Sequence, residues 1–322
     1  MLPVKKIELH LHLEGAAPPS FIRALAAEKH VDLSGIFDAR GHYAYRGFDA
    51  FLRVYEAATS VLQTPQDFAR LLEEMLERSA EQGVIYTEIF VSPEFCGGAD
   101  LAAWRDYLAA MTEIAEWMRG QGIDSRGIVT AIRHFGPERA KKSALCAAET
   151  AGGWIAGFGM GGAEAVGAAT DYAWSFDCAR EAGLGLTCHA GEWGGPESIR
   201  QALALGVSRI GHGVRAIEDP ALVRDLAARG TVLEICPGSN IALGIYPDWP
   251  GHPIAKLMDA GVRVTISTDD PPFFHTSMRH EYNRLADAFG WGEEEFAQIN
   301  RWAIDAAFCD ETTREGLRKE FP

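Results

Sequence analysis

The chain has 322 residues, 47% of them hydrophobic, and a formal net charge of −15 from 30 basic and 45 acidic side chains. That length fits one large α/β barrel with a sizeable core. The acidic balance excludes the basic face that phosphate-driven nucleic-acid binding requires and reads as a solubility feature.

Apolar runs with strand character alternate with stretches of helical spacing. The first run is Ile7–His12. Residues 13–60 follow as an insertion long enough for extra helices over a barrel mouth, and Phe48–Leu62 within its reach has helical spacing. A helix over Thr64–Gln82, opened by Thr64-Pro65, leads to the run Val84–Val91. Then come a helix over Asp100–Gly120, the run Gly127–Arg133, a helix over Pro137–Thr150 and the run Trp154–Met160. A helix over Tyr172–Ala182, the run Gly185–His189, a helix over Pro196–Ala204 and the run Arg209–His212 continue the alternation. The last pairs are a helix over Pro220–Ala228, the run Thr231–Cys236, a helix over Pro253–Ala260 and the run Val262–Thr268; Trp291–Pro322 reads as closing helices.

Strand then helix, with no fixed sequence repeat, predicts a (β/α)8 TIM barrel spanning 1–322 as a single domain with extra helices over its mouth. A doubly wound open sheet is the alternative. The four glycines of Gly157–Gly162 lack the strand–G-x-G-x-x-G–helix frame of a dinucleotide site. No leading basic segment with an apolar run opens the chain, and no stretch of about 18 apolar residues occurs, so neither a signal peptide nor a membrane span is expected. The cysteines (Cys96, Cys146, Cys178, Cys188, Cys236 and Cys309) form no C-x-x-C pair, so neither a disulfide framework nor a thiolate metal site is expected, and the cytoplasm is the expected compartment. Oligomeric state is not legible.

In Ile7-Glu8-Leu9-His10-Leu11-His12-Leu13, strand alternation puts His10 and His12 on one face and the leucines on the other. In a closed barrel the imidazoles point inward near the strand's C-terminal end, where barrel active sites lie. A lone histidine there would be an ordinary core residue. Two side by side are hard to satisfy without a metal, because each needs partners for both nitrogens. Later strand ends add His189 and Glu192, then His212, then Asp269 and Asp270. Glu192 could merely cap a helix, and Asp269-Asp270 could precede Pro271 as an N-cap pair, but a barrel converges strand ends on one centre. Imidazole plus carboxylate ligands suit zinc with an open position for water. His30, His42, His134 and His252 lack such context and are expected to have no site role. The Phe48, Phe51, Leu52, Tyr55 stripe is either a lid or, preferably, helix core.

The segments Lys6–Gly15, Thr187–Glu192, Arg209–Gly213 and Ser267–Pro271 resemble the adenosine and adenine deaminase family of the amidohydrolase superfamily, in the right order and over nearly the whole chain. The resemblance implies one zinc per chain held by His10, His12, His189 and Asp269. It implies that Glu192 protonates purine N1, His212 orients the attacking oxygen and helps take its proton, and Asp270 hydrogen-bonds N7. The Gly162 amide would meet N3, with His12 and Glu14 also against the substrate. The activity implied is deamination of a 6-aminopurine in purine salvage, with adenosine and 2′-deoxyadenosine, giving inosine and ammonia, as the preferred substrates. Adenine or a modified adenine nucleoside is the alternative substrate. Glu14 stands where many animal adenosine deaminases have Asp near the ribose, and Ala163 replaces the acid of the family's A-G-D-E.

Two other readings compete. A two-metal hydrolase would need a bridging lysine or glutamate at a middle strand end, and no Lys lies between Lys142 and Lys256. A catalytically inactive binding relative is disfavoured by the presence of Glu192, His212 and both aspartates.

Overall fold

The structure, a computed structural model, describes residues 5–321. Eight parallel strands follow one another around a single sheet in chain order: β1 (Lys6–His12), β2 (Val84–Val91), β3 (Asp124–Ile132), β4 (Ile155–Gly161), β5 (Gly185–Ala190), β6 (Arg209–His212), β7 (Val232–Ile235) and β8 (Arg263–Ile266). The ring closes above β8, where His12 N–H donates to Asp269 O (3.0 Å) and Asp269 N–H to His10 O (3.1 Å). This is the expected (β/α)8 barrel, and it fixes β1 and the acid pair side by side.

The helices in chain order begin with α1 (Pro19–Glu28), α2 (Phe48–Thr59), α3 (Pro65–Glu81), α4 (Leu101–Gly120), α5 (Pro137–Glu149), α6 (Ala173–Glu181) and α7 (Pro196–Ala204). They continue with α8 (Pro220–Arg229), α9 (Pro237–Ala242), α10 (Ile254–Asp259), α11 (Pro271–Phe274), α12 (Met278–Phe289), α13 (Glu293–Ala306) and α14 (Glu311–Glu320). Thr64 closes a capping box with Asp67 at the start of α3, so the Thr64-Pro65 signal has its physical basis. No helix among the described residues is long and apolar enough to cross a membrane.

β3 starts three residues before the run Gly127–Arg133 and ends one residue earlier. Its polar beginning, Asp124-Ser125-Arg126, pairs with Tyr86–Glu88 of β2 at the barrel floor, where Arg126 bonds Asp124 and Asp310. Arg133, past the strand, is buried and donates to the carbonyls of Glu164 (3.3 Å) and His189 (3.2 Å).

Leu9 and Leu11 are buried outside the barrel wall; Leu9 joins Ala303, Ile304 and Ala307 of the α13 segment. The inward face is charged. Arg209 donates from Nε to Glu234 Oε1 (2.5 Å) and pairs through Nη1 with Glu88 Oε2 (2.6 Å), and all three side chains are fully buried. The guanidinium lies 3.6 Å from the centroid of the Phe308 ring, which plugs the floor by a cation–π contact.

Candidate active site

Above that charged floor the strand ends converge. His10, His12, His189 and Asp269 bring one ligand atom each to within 4.8 Å of one another. His12 Nε2 lies 3.1 Å from His189 Nε2, and Asp269 Oδ1 lies 3.3 Å from His12 Nε2 and 3.5 Å from His10 Nε2. Ligands about 2.0–2.1 Å from a tetrahedral zinc stand roughly 3.3 Å apart, so these separations suit one cation. Facing imidazole nitrogens and the otherwise unpartnered, buried His10 Nε2 are costly without one. Gly211 gives the rings room: a Cβ there would lie 2.9 Å from His10 Cε1 and 3.1 Å from His189 Nδ1.

Supporting groups orient the ligands. His10 Nδ1 meets Glu234 Oε2 at 2.7 Å, leaving Nε2 as the donor atom for a cation. Ser239, on α9, donates its hydroxyl to Asp269 Oδ2 at 2.7 Å. Burial opposes charge on His10, but Asp269 and Glu234 outweigh it and raise the metal-free imidazole to about 9. The position therefore attracts positive charge, which a divalent cation supplies.

His212 and Asp269 both have positive φ, +61° and +66°, a strained conformation that turns their side chains into the mouth. Behind His212 runs a relay. Ile254 N–H donates to His252 Nδ1 (3.2 Å), His252 Nε2 to Asn240 Oδ1 (3.1 Å), and Asn240 Nδ2 to His212 Nδ1 (3.3 Å). With Nδ1 accepting, the network assigns the His212 proton to Nε2, which points at Glu192 Oε2 (3.8 Å) and Asp269 Oδ2 (3.9 Å). Burial pushes His212 down to about 4, so its ring is neutral. His252, expected to have no site role, sits two hydrogen bonds behind it.

Glu192 is fixed by its loop. The Glu164 carboxylate accepts the amides of Gly191 (2.6 Å), Glu192 (3.1 Å), Trp193 (2.7 Å) and Gly194 (2.8 Å). Glu164 is thereby held ionised against its own burial. Burial, then the charges of Asp269 and Glu164, push Glu192 well above the ordinary carboxylate range. Burial and Asp269 do the same to Asp270, whose Oδ1 is buried without a partner.

A cavity opens over these groups. His12, Gly162, His189, Glu192, His212, Asp269 and Asp270 all line it. The α2 stripe is packed core and cavity roof at once. Phe51 contacts Phe273 and Phe274 of α11, Phe48 contacts Trp193, and Phe48, Phe51, Leu52 and Tyr55 all reach the cavity. Glu14 does not line it. Its carboxylate accepts Ser92 N–H (3.1 Å) and Tyr55 O–H (3.5 Å), and burial raises it to about 7. His134, read from the sequence as a residue without a site role, lines the cavity beside Gly162.

An eight-stranded barrel with this imidazole–carboxylate cluster at the C-terminal strand ends defines an amidohydrolase-type hydrolase. The chain belongs to the adenosine deaminase family, whose model matches residues 5–321. An adenine deaminase of Rhizobium rhizogenes is 50% identical over 315 residues, 98% of each chain. The crystal structure of an adenine deaminase from Arthrobacter aurescens superposes with a TM-score of 0.90 at 29% identity, over 98% of this chain and 97% of that one. A zinc-bound amidohydrolase from Burkholderia ambifaria superposes with a TM-score of 0.87 at 26% identity, over 98% and 88%. The chain is thus a hydrolase of C–N bonds in a family that deaminates 6-aminopurines.

Proposed function

We propose that the chain hydrolyses adenine to hypoxanthine and ammonia, with zinc held by His10, His12, His189 and Asp269. The relatives at about half identity are named adenine deaminases, and the cavity favours the free base over the adenosine expected from sequence. The observation that carries this choice is Glu14. It would be the natural partner of a ribose, but Ser92 and Tyr55 hold it off the cavity wall, and the roof there is Phe48, Phe51, Leu52 and Phe274. A sugar would find no Glu14 carboxylate to receive its hydroxyls, and any hydroxyl turned to that apolar roof would cost about 1–3 kcal/mol.

Bound in that site, the cation would supply an activated water as nucleophile at near-neutral pH. The protein's own groups do the rest. Glu192, kept protonated, donates to ring N1 as C6 is attacked, so that charge does not build on the ring. His212 presents Nε2–H toward the reacting oxygen and orients it; with that nitrogen already protonated and Nδ1 held by Asn240, it does not take the proton that the sequence motif led us to expect it to take. Asp270, also kept protonated, donates to N7. The Gly162 amide faces N3, and the leaving nitrogen takes one proton of the attacking water and departs as ammonia, the water's other proton restoring Glu192.

Metal-loaded enzyme assayed for ammonia release with adenine, adenosine and 2′-deoxyadenosine tests the reading. A higher kcat/KM for adenine is expected, and a preference for either nucleoside overturns it.

A further inference from the structure

The cavity lining carries a polar pair, Glu56 and His134, that chemistry at C6 leaves unused. Phe48, Phe51, Leu52, Tyr55 and Glu56 share one face of α2, at the helical spacings of three and four, and all five line the cavity. Glu56 is the carboxylate among them, and its Oε1 lies 3.2 Å from His134 Nε2. His134 is itself fixed: Ala163 N–H donates to its Nδ1 at 3.2 Å, which places the ring proton on Nε2, toward Glu56. The ring lies against the cavity wall at Gly162, where φ is +92° and a Cβ would stand 2.8 Å from His134 Nδ1. The backbone anchor and the glycine seat belong to His134; Glu56, its side chain 47% exposed, is oriented through the imidazole.

In a purine whose C6 faces the cation cluster, the N3–N9 edge is the opposite end of the ring system. With N3 at the Gly162 amide, His134, seated against that glycine, and its partner Glu56 are the polar side chains beside that edge. N9 is where base and nucleoside differ: a free base carries a proton there and a nucleoside carries a sugar carbon. An ionised carboxylate only accepts hydrogen bonds. Resting on the adenine reading above, we propose that Glu56, oriented by His134, accepts the N9–H of a free purine base and thereby selects the base over its N9-substituted forms. His134 is a positioning residue in this arrangement.

The test compares binding of hypoxanthine and 9-methylhypoxanthine to the metal-loaded enzyme by calorimetry, in the native chain and in Glu56→Ala, with adenine turnover measured alongside. Hydrogen bonds to charged groups are worth about 10- to 100-fold in binding. The native protein is expected to prefer hypoxanthine over the 9-methyl form, and Glu56→Ala to reduce that preference by about 10- to 100-fold. The loss should fall on hypoxanthine, and adenine KM should rise more than kcat falls, because the contact is the same in ground and transition states. A native protein without the preference, a preference unchanged in the variant, or an equal loss for both ligands overturns the assignment. The substrate reading fails separately, through a native preference for adenosine over adenine in the ammonia assay. An enzyme that prefers adenine but keeps its ligand ratio in Glu56→Ala loses only the role given to Glu56.

Discussion

His10 Nδ1 stands 2.7 Å from Glu234 Oε2, with both side chains wholly buried, and the same carboxylate receives Arg209 Nε and the Thr187 hydroxyl (2.9 Å). Glu234 therefore links a charged barrel floor to a candidate metal ligand, fixing the His10 tautomer and raising its basicity. Such outer partners are worth about 10- to 100-fold in metal affinity. Glu234→Gln is expected to weaken zinc binding by about that factor, read by competition with a chromophoric chelator. It should also lower the stability of metal-free protein, since Arg209 loses one of two buried counter-charges. Zinc affinity equal to that of the native chain would remove Glu234 from the site.

Glu192→Gln keeps the shape of the side chain and its loop, which Glu164 holds through backbone amides, but removes the proton donor. Metal content measured by elemental analysis should stay near one ion per chain, while kcat falls by about 10²- to 10⁴-fold. In the native enzyme the acid must be protonated, and burial beside Asp269 and Glu164 holds it so above the usual carboxylate range. Activity should thus persist through neutral pH and decline on the alkaline side as Glu192 ionises. A variant with near-native turnover rules out this role.

A carboxyl outside the site gives a pH signature of its own. Glu281 of α12 accepts Gly238 N–H at 3.0 Å and the Thr276 hydroxyl, steadying the start of α9, which delivers Ser239 and Asn240. Burial raises it from 4.5 to about 8. Between those values the folded chain keeps a proton that the unfolded chain has released, so stability falls as pH rises through the window. One such group contributes a slope of up to about 1.4 kcal/mol per pH unit. Urea unfolding of the native chain and Glu281→Gln across that window should show the flatter dependence in the variant. Parallel curves would mean that Glu281 does not titrate there.

The alternation His10–His12 and the acids and imidazoles closing later runs were legible because strand periodicity and barrel convergence are local rules. Supporting residues were not, because they reach the site through tertiary contacts. Three of them still left a signal. Glu234 and Arg209 are charges in short apolar strands, an arrangement that needs a buried partner. His134 stands just past a strand end, as His189 and His212 stand at theirs, and that position was the missing cue. Ser239 and Asn240 had none, since an α9 of six residues has no periodicity to read, and neither did His252, in the loop before α10. The α2 stripe was ambiguous because its aromatics both pack on α11 and roof the cavity, so one spacing serves two purposes. Glu14 shows the opposite limit: its place in the motif is clear, yet Ser92 and Tyr55, distant in sequence, decide where its carboxylate points.

Gly15, one residue beyond Glu14, tests how Asp270 is held. A Cβ at Gly15 would overlap the Asp270 carboxylate, so the absence of a side chain is what lets Asp270 stand at the cavity wall. Gly15→Ala should leave His10, His12, His189 and Asp269 able to bind zinc, but displace Asp270 and lower kcat/KM for adenine by at least about 10-fold, the scale of one hydrogen bond to a charged or buried group. If the damage travels through Asp270 alone, Gly15→Ala added to Asp270→Ala should cost little more than Asp270→Ala by itself. Steady-state kinetics and zinc content of the two single variants and the double variant close the cycle. Additive losses in kcat/KM, or loss of zinc from Gly15→Ala, would show that the glycine serves the turn after β1 rather than the aspartate.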